Sequence, residues 1–157
     1  MIILIIGNSG SGKTTLAKKL SIKHKLQKFH IDELIYNPGG WTKDFWVSKN
    51  KIQEKILNIK KLNNYIIEGG SIYIIKQFIN EATHLIFLNI KWEVCKKSIV
   101  NRSNKIDEQF IIWASEYYER KDNYSISLKN HQKIFDDFLN DKNIISNRKD
   151  INNLKLI

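Results

Sequence analysis

The run Gly7-Asn8-Ser9-Gly10-Ser11-Gly12-Lys13-Thr14 constrains this chain more than any other segment. It follows Ile2 to Ile6, a continuous apolar run suited to a strand covered on both faces. It opens Thr14 to His24, where Leu16, Ala17 and Leu20 share one face at helical spacing. A buried strand must therefore turn into a helix through a loop that matches G-x-x-x-x-G-K-[ST] in full. Gly7, Gly10 and Gly12 let the loop curl so that successive N–H groups face an anion. The helix behind it adds the partial positive charge of its N-terminus. Gly7 through Thr15 are thus expected to cradle a nucleoside triphosphate, with Lys13 on its β- and γ-phosphates and the Thr14 hydroxyl in a Mg²⁺ shell.

The rest of the chain repeats the alternation. Phe29 to Asp32, Tyr65 to Ile67, Leu85 to Ile90 and Ile144-Ile145 read as further strands. Between them, Asp44 to Lys61, Ile72 to Ile79, Trp92 to Arg102, Asp107 to Lys121 and Leu128 to Asn140 read as helices, with a short helix in the tail. Apolar strands each followed by a helix predict an α/β fold, a parallel sheet with helices on both faces. Ligands of such sheets bind beyond the carboxyl ends of the strands. The polar residues there are Gly7 to Thr15, Asp32-Glu33, Glu68-Gly69-Gly70 and Asn89.

Composition narrows the class. A length of 157 residues fits one domain, 1–157, and 42% hydrophobic residues excludes a disordered tail. A single cysteine, Cys95, excludes a disulfide scaffold, and four scattered His exclude a zinc framework. No apolar run reaches the length of a membrane span, and MIILII is too short for a signal peptide, so a cytoplasmic protein is expected. The net charge of +10 invites a nucleic-acid partner, yet 23 of the 26 basic residues are Lys. Ile, Lys and Asn together supply 68 positions, the signature of AT-rich codon usage. Phosphate and base recognition recruits Arg for its bidentate fork, so the Lys excess reads as solvated surface. The three arginines, Arg102, Arg120 and Arg148, stand out against that background.

Each strand end suggests a role. Asp32 is expected to face the γ-phosphate across the cleft, where it accepts a proton from an acceptor hydroxyl or holds a metal-bound water; a helix or turn cap is the plainer alternative. Glu68 is a better metal-side carboxylate than Asn89, which carries no charge. Gly69 and Gly70 open the backbone for a close approach by substrate. Trp41, after the Asn37-Pro38-Gly39-Gly40 turn, either stacks on a planar acceptor or anchors its loop, whereas Trp46, Trp92 and Trp113 read as packing residues in helices. Arg102 and Arg120 are candidates for neutralising the migrating phosphoryl group from a lid over about 101–130, hinged at Asn101 to Ile106. Arg148, after the fifth strand, is a candidate for packing on a base or ribose.

With these residues placed, the chain resembles the small P-loop kinases of the adenylate and shikimate kinase type. Within them it is most similar to the topology-modulation (FlaR-related) P-loop proteins. The segments that carry the likeness are IIGNSGSGKTTLAKKL, FHIDELIYNPGGW, YIIEGGSIY, HLIFLNIKWEVCKKSIVNR and NIISNRKDINNL. The resemblance implies a three-layer fold with strand order 2-3-1-4-5, a helical lid after strand four, and Mg-ATP as donor. It gives Asp32 the acceptor-side role, Glu68-Gly69 the acidic-glycine role of strand three, and Arg102 the place of the first lid arginine. The chain departs from its relatives in having Glu at 68 and Asn at 89 where Asp is usual, and in a lid rich in Lys and Asn.

The expected function is transfer of the ATP γ-phosphoryl to a small hydroxyl- or phosphate-bearing acceptor, nucleoside-like or another small metabolite. The alternative is an ATP-binding regulatory protein with weak ATPase activity and a nucleic-acid association, which the charge distribution disfavours. A GTPase switch lacks its N-K-x-D guanine-reading run.

Overall fold

The structure, a computed structural model, describes residues 1–37, 46–102, 107–154 and 156. Five parallel strands form one sheet: β1 (Ile2–Gly7), β2 (Gln27–His30), β3 (Tyr65–Glu68), β4 (His84–Leu88) and β5 (Asp141–Ile145). Their order is β2-β3-β1-β4-β5, as expected. The helices are α1 (Lys13–His24), α2 (Ile31–Ile35), α3 (Lys49–Lys60), α4 (Ile72–Phe78), α5 (Trp92–Val100), α6 (Glu108–Ser115) and α7 (Leu128–Asp137).

Side chains alternate across a strand, and here the alternation sorts the core into two layers. Leu4 and Ile6 of β1 join Ile67, Phe87 and the apolar faces of α2, α3, α4 and α7. Ile3 and Ile5 face the opposite way, onto Leu16, Ala17 and Leu20 of α1 and Cys95 of α5. Fully covered central strands explain why β1, β3 and β4 read as unbroken apolar runs. The edge strands β2 and β5 are only partly buried, and their signals were correspondingly short.

Several boundaries differ from the sequence reading. The second strand ends at His30, where its partner β3 ends, with His30 opposite Glu68. The next residues turn into α2 because Ile31 and Leu34, at i and i+3, are buried in the first layer. Asp32 therefore belongs to the first turn of a helix and not to a strand. The fourth strand stops at Leu88, so Asn89 lies beyond it. Residues 44–45 lie outside the described residues, and α3 begins only after Ser48. Trp46 is in a bridge to Tyr36, 61% exposed and 4.9 Å from its ring, not a helical packing residue. The helix expected over Asp107 to Lys121 is α6 followed by one 3-10 turn, Glu116–Tyr118. The tail helix is a 3-10 segment, Arg148–Asn153.

Candidate active site

The loop from Gly7 to Thr14 lies at the carboxyl end of the central strand, flanked by the ends of β3 and β4. Gly10 has φ 75°, and a Cβ there would strike the Cys95 carbonyl and approach Ile99 to 3.0 Å, so only glycine lets the loop pass under α5. Gly12 is the left-handed N-cap of α1. No side chain caps that helix and its first turn holds no acidic residue, which leaves its N–H groups for an anion. Asn8 is buried and fixes the loop from outside: its side-chain amide donates to the Ala114 carbonyl at 3.0 Å, while its Oδ1 accepts from Ser9 N–H at 2.7 Å. Ser11 is buried with its Oγ unpartnered. Thr14 and Thr15 are exposed on the first turn of α1.

Lys13 curls over the loop and donates to the Asn8 carbonyl at 2.8 Å. Desolvation pushes its ammonium below the ordinary lysine value, and the Glu68 and Asp32 carboxylates pull it back up. These three charges define a cleft of about 400 Å³ beyond the strand ends. Ser9, Gly10, Lys13 and Thr14 form its floor, His30, Asp32 and Glu68 one side, and Ile99, Val100, Arg102, Asp107, Phe110 and Ile111 the other.

Glu68 is 2% exposed, and neither carboxyl oxygen accepts a hydrogen bond among the described residues. A buried carboxylate without donors is costly unless a ligand or cation completes it. The His30 ring lies beside it, with Nδ1 3.5 Å from Glu68 Oε1 and Nε2 3.5 Å from Asp32 Oδ2. The imidazole thus spans both carboxylates at ion-pair distance. With Thr14 on the same cleft, Glu68 offers the hard oxygen donors that suit a Mg²⁺ sharing its shell with phosphates and water. No cluster of three or more His, Cys, Asp or Glu among the described residues forms a metal cage without such help.

The other candidates divide. Arg102 is exposed, lines the cleft and bears electrostatically on Lys13. Arg148 donates to the Gly10 carbonyl, and its Nε is buried without a partner 3.9 Å from where a Gly12 Cβ would stand. Arg120 does not join them: it donates to the carbonyls of Ile126, at 2.7 Å, and Trp113, pairs with Glu116 at 3.2 Å, and covers the Trp113 ring at 4.8 Å. The close approach that Gly69 and Gly70 permit is made by protein: a Cβ on Gly69 would lie 2.5 Å from Ile31 Cβ, and one on Gly70 3.0 Å from Ile126. Trp41 lies outside the described residues, as do 103–106 of the expected hinge. Nothing in the sequence marked out His30, because the strand read as running on to Asp32, and nothing marked out the apolar wall of α5 and α6.

No protein-family model matches the chain, and none of the curated proteins matches it in sequence. Solved structures do match in fold. Shikimate kinase from Bacteroides thetaiotaomicron is 21% identical, with a TM-score of 0.56 over 98% of this chain and 92% of that one. Shikimate kinase from Aquifex aeolicus is 18% identical, with a TM-score of 0.54 over 98% and 90%. Deoxyadenosine kinase from M. mycoides, solved with bound dATP, is 16% identical, with a TM-score of 0.54 over 96% and 95%. The fold is that of the P-loop small-molecule kinases.

Proposed function

We propose that the protein is a phosphotransferase that moves the γ-phosphoryl of Mg-ATP to a hydroxyl of a small acceptor. The observation that carries this reading is the convergence of Lys13, Asp32 and the unpartnered Glu68 on one cleft at the end of a phosphate-cradle loop. The kinase identities of the structural neighbours support it.

In this reading the loop N–H groups and α1 bind the α- and β-phosphates. Lys13 exchanges its bond to Asn8 for the β- and γ-phosphates, and Arg102 meets the charge on the migrating group. Thr14 and Glu68 would hold Mg²⁺, which would offset phosphate charge. The acceptor oxygen attacks the γ-phosphorus, the bond to the β–γ bridging oxygen breaks, ADP leaves, and the hydroxyl proton passes to Asp32. Arg148 and Gly12 border the nucleoside end. The segment about 101–130 serves as the lid, and its middle is tied to the loop by the Ala114 carbonyl, which accepts from Asn8, and to the Ile90 carbonyl by the Tyr118 hydroxyl. Solution in the cytoplasm fits the described helices, none of which is long and apolar enough to cross a membrane.

ADP release from Mg-ATP across a panel of hydroxylated acceptors tests the reading. Asp32→Asn should lower acceptor-dependent turnover by about 10²–10⁴-fold while ATP affinity stays within about twofold. Unchanged turnover would remove Asp32 from its role. A second reading, a regulatory ATP-binding protein with slow hydrolysis, is favoured by Arg120, whose guanidinium is already committed to backbone carbonyls. It predicts ATP binding with ADP release that no acceptor stimulates.

A further inference from the structure

We propose, resting on the reading of the Gly7 to Thr14 loop as a phosphate cradle, that Asn8 is a positioning residue for the apolar wall of the cleft: phosphate held by the loop sets the placement of α6 through the Asn8 side chain. Phe110 and Ile111 of α6 line that wall. Ala114, one turn after Phe110 and fully buried, presents its carbonyl to the Asn8 side-chain amide at 3.0 Å. The bond joins positions 106 apart in the chain, and Asn8 itself is buried. The orientation of the amide is determinate, because Ser9 N–H donates to Oδ1 at 2.7 Å and leaves the NH₂ end for Ala114. The α5 half of the wall bears on the same loop. Gly10 passes under the Cys95 carbonyl, with Ile99 3.0 Å from where its Cβ would stand, and Ile99 lines the cleft. Past α6 the chain is pinned to a different strand end, since Tyr117 reaches the Gly70 carbonyl through His131.

The main chain of Asn8 gives this link two arrangements. Its carbonyl accepts from the Lys13 ammonium at 2.8 Å and from Ser11 N–H at 3.2 Å. When Lys13 moves to the β- and γ-phosphates, that carbonyl loses its charged donor on the residue whose side chain holds α6. Phosphate oxygens at the same time take up the N–H groups of the loop and restrict its motion. An anchor that stiffens with the loop stiffens the helix attached to it. Coupling of this kind is reciprocal, so a ligand seated against Phe110 and Ile111 tightens the hold of the loop on ATP by the same factor.

Hydrogen exchange of residues 108–118, read by mass spectrometry with and without the β,γ-imido analogue of Mg-ATP, tests this. The analogue is supplied at concentrations that saturate each variant, as isothermal titration establishes. In the wild-type chain exchange should slow by at least about fivefold on binding. In Asn8→Ala, and in Asn8→Ser, whose hydroxyl falls short of Ala114, the slowing should shrink to under about twofold. Either variant suffices if the other does not fold. Tyr117→Phe, which frees the segment from His131 and leaves Asn8 in place, should speed exchange in both states and keep the wild-type ratio. A wild-type segment indifferent to the bound analogue would overturn the inference alone. Asn8 variants that exchange faster in both states with the ratio kept, or a Tyr117→Phe chain that loses the ratio as fully as they do, would overturn it as well. An analogue that does not bind the wild-type chain would overturn the cradle reading and this inference with it.

Discussion

At the scale of single residues, Glu68 holds the clearest conflict between stability and function. A carboxyl group 2% exposed, with His30 at 3.5 Å but neither oxygen hydrogen-bonded among the described residues, is costly to bury. Glu68→Gln should therefore raise the melting temperature of the ligand-free protein by about 2–4 °C while lowering transfer at least about 100-fold. Calorimetry with parallel turnover measurements checks both; a lower melting temperature would show that neighbouring side chains already offset the burial of Glu68. Lys13→Ala removes the ammonium that the cleft desolvates, and isothermal titration should register a loss of ATP affinity of at least about tenfold. The place of Lys13 on the cleft was legible because spacing and context coincide in the loop motif. His30 was not, since a lone histidine at a strand end acquires meaning only when a neighbouring strand brings a second carboxylate beside it.

Elements explain what the residues cannot. The helix α2 is short, and its apolar periodicity spans a single turn, so the sequence read it as the continuation of a strand. Its position depends on Gly69, where any Cβ would meet Ile31 at the start of α2. Gly69→Ala should cost about 1–3 kcal/mol in chemical denaturation and shift Asp32, so that kcat falls more than ATP affinity. A second coupling joins α7 to the end of β3. His131 is fully buried, with Nδ1 2.8 Å from the Tyr117 hydroxyl and Nε2 2.9 Å from the Gly70 carbonyl. This geometry fits a neutral ring that accepts from tyrosine and donates to the carbonyl. Burial holds its pKa down at about 3, against an ordinary value of 6.5, with the Gly70 carbonyl pulling up and Lys13 pushing further down. The unfolded chain takes up this proton near pH 6.5 and the folded chain does not until about 3. Stability from this group is thus complete above the unfolded value and declines as pH falls below it, by up to about 1.4 kcal/mol per unit. Urea titrations between pH 7 and 4 should show that decline, and His131→Gln should flatten it.

For the whole molecule, a parallel sheet covered on both faces was readable because each central strand is apolar throughout and each is followed by a helix, whereas the order β2-β3-β1-β4-β5 came from the resemblance to the P-loop kinases. The site floor was readable for the same reason: the loop motif is local. Of the walls, Asp32, Glu68 and Arg102 were legible at the ends of their segments, but the apolar face of α5 and α6 was not, because those helices reach the cleft only through tertiary packing. The net charge of +10 spreads over lysines that mostly face solvent, and repulsion among them opposes compaction. Raising NaCl from about 0.02 to 0.2 M should increase the melting temperature by a degree or more, since the screening length then falls well below the molecular diameter. A constant or falling value would indicate that the surface ion pairs outweigh the repulsion.

The glycines at the strand ends have a consequence for how such an enzyme can change. Gly10 is closed in by Cys95, Gly7 by Leu88 and Gly69 by Ile31, so none of these positions can accept a side chain without displacing backbone or core. The wall formed by Ile99, Val100, Phe110 and Ile111 carries no such restriction, since those side chains border open cleft. In a saturation library screened for new acceptors, surviving variants should cluster on α5 and α6, while the floor stays fixed. In the proposed phosphotransferase, donor chemistry would thereby be insulated from mutation, and the choice of acceptor would be left free to drift.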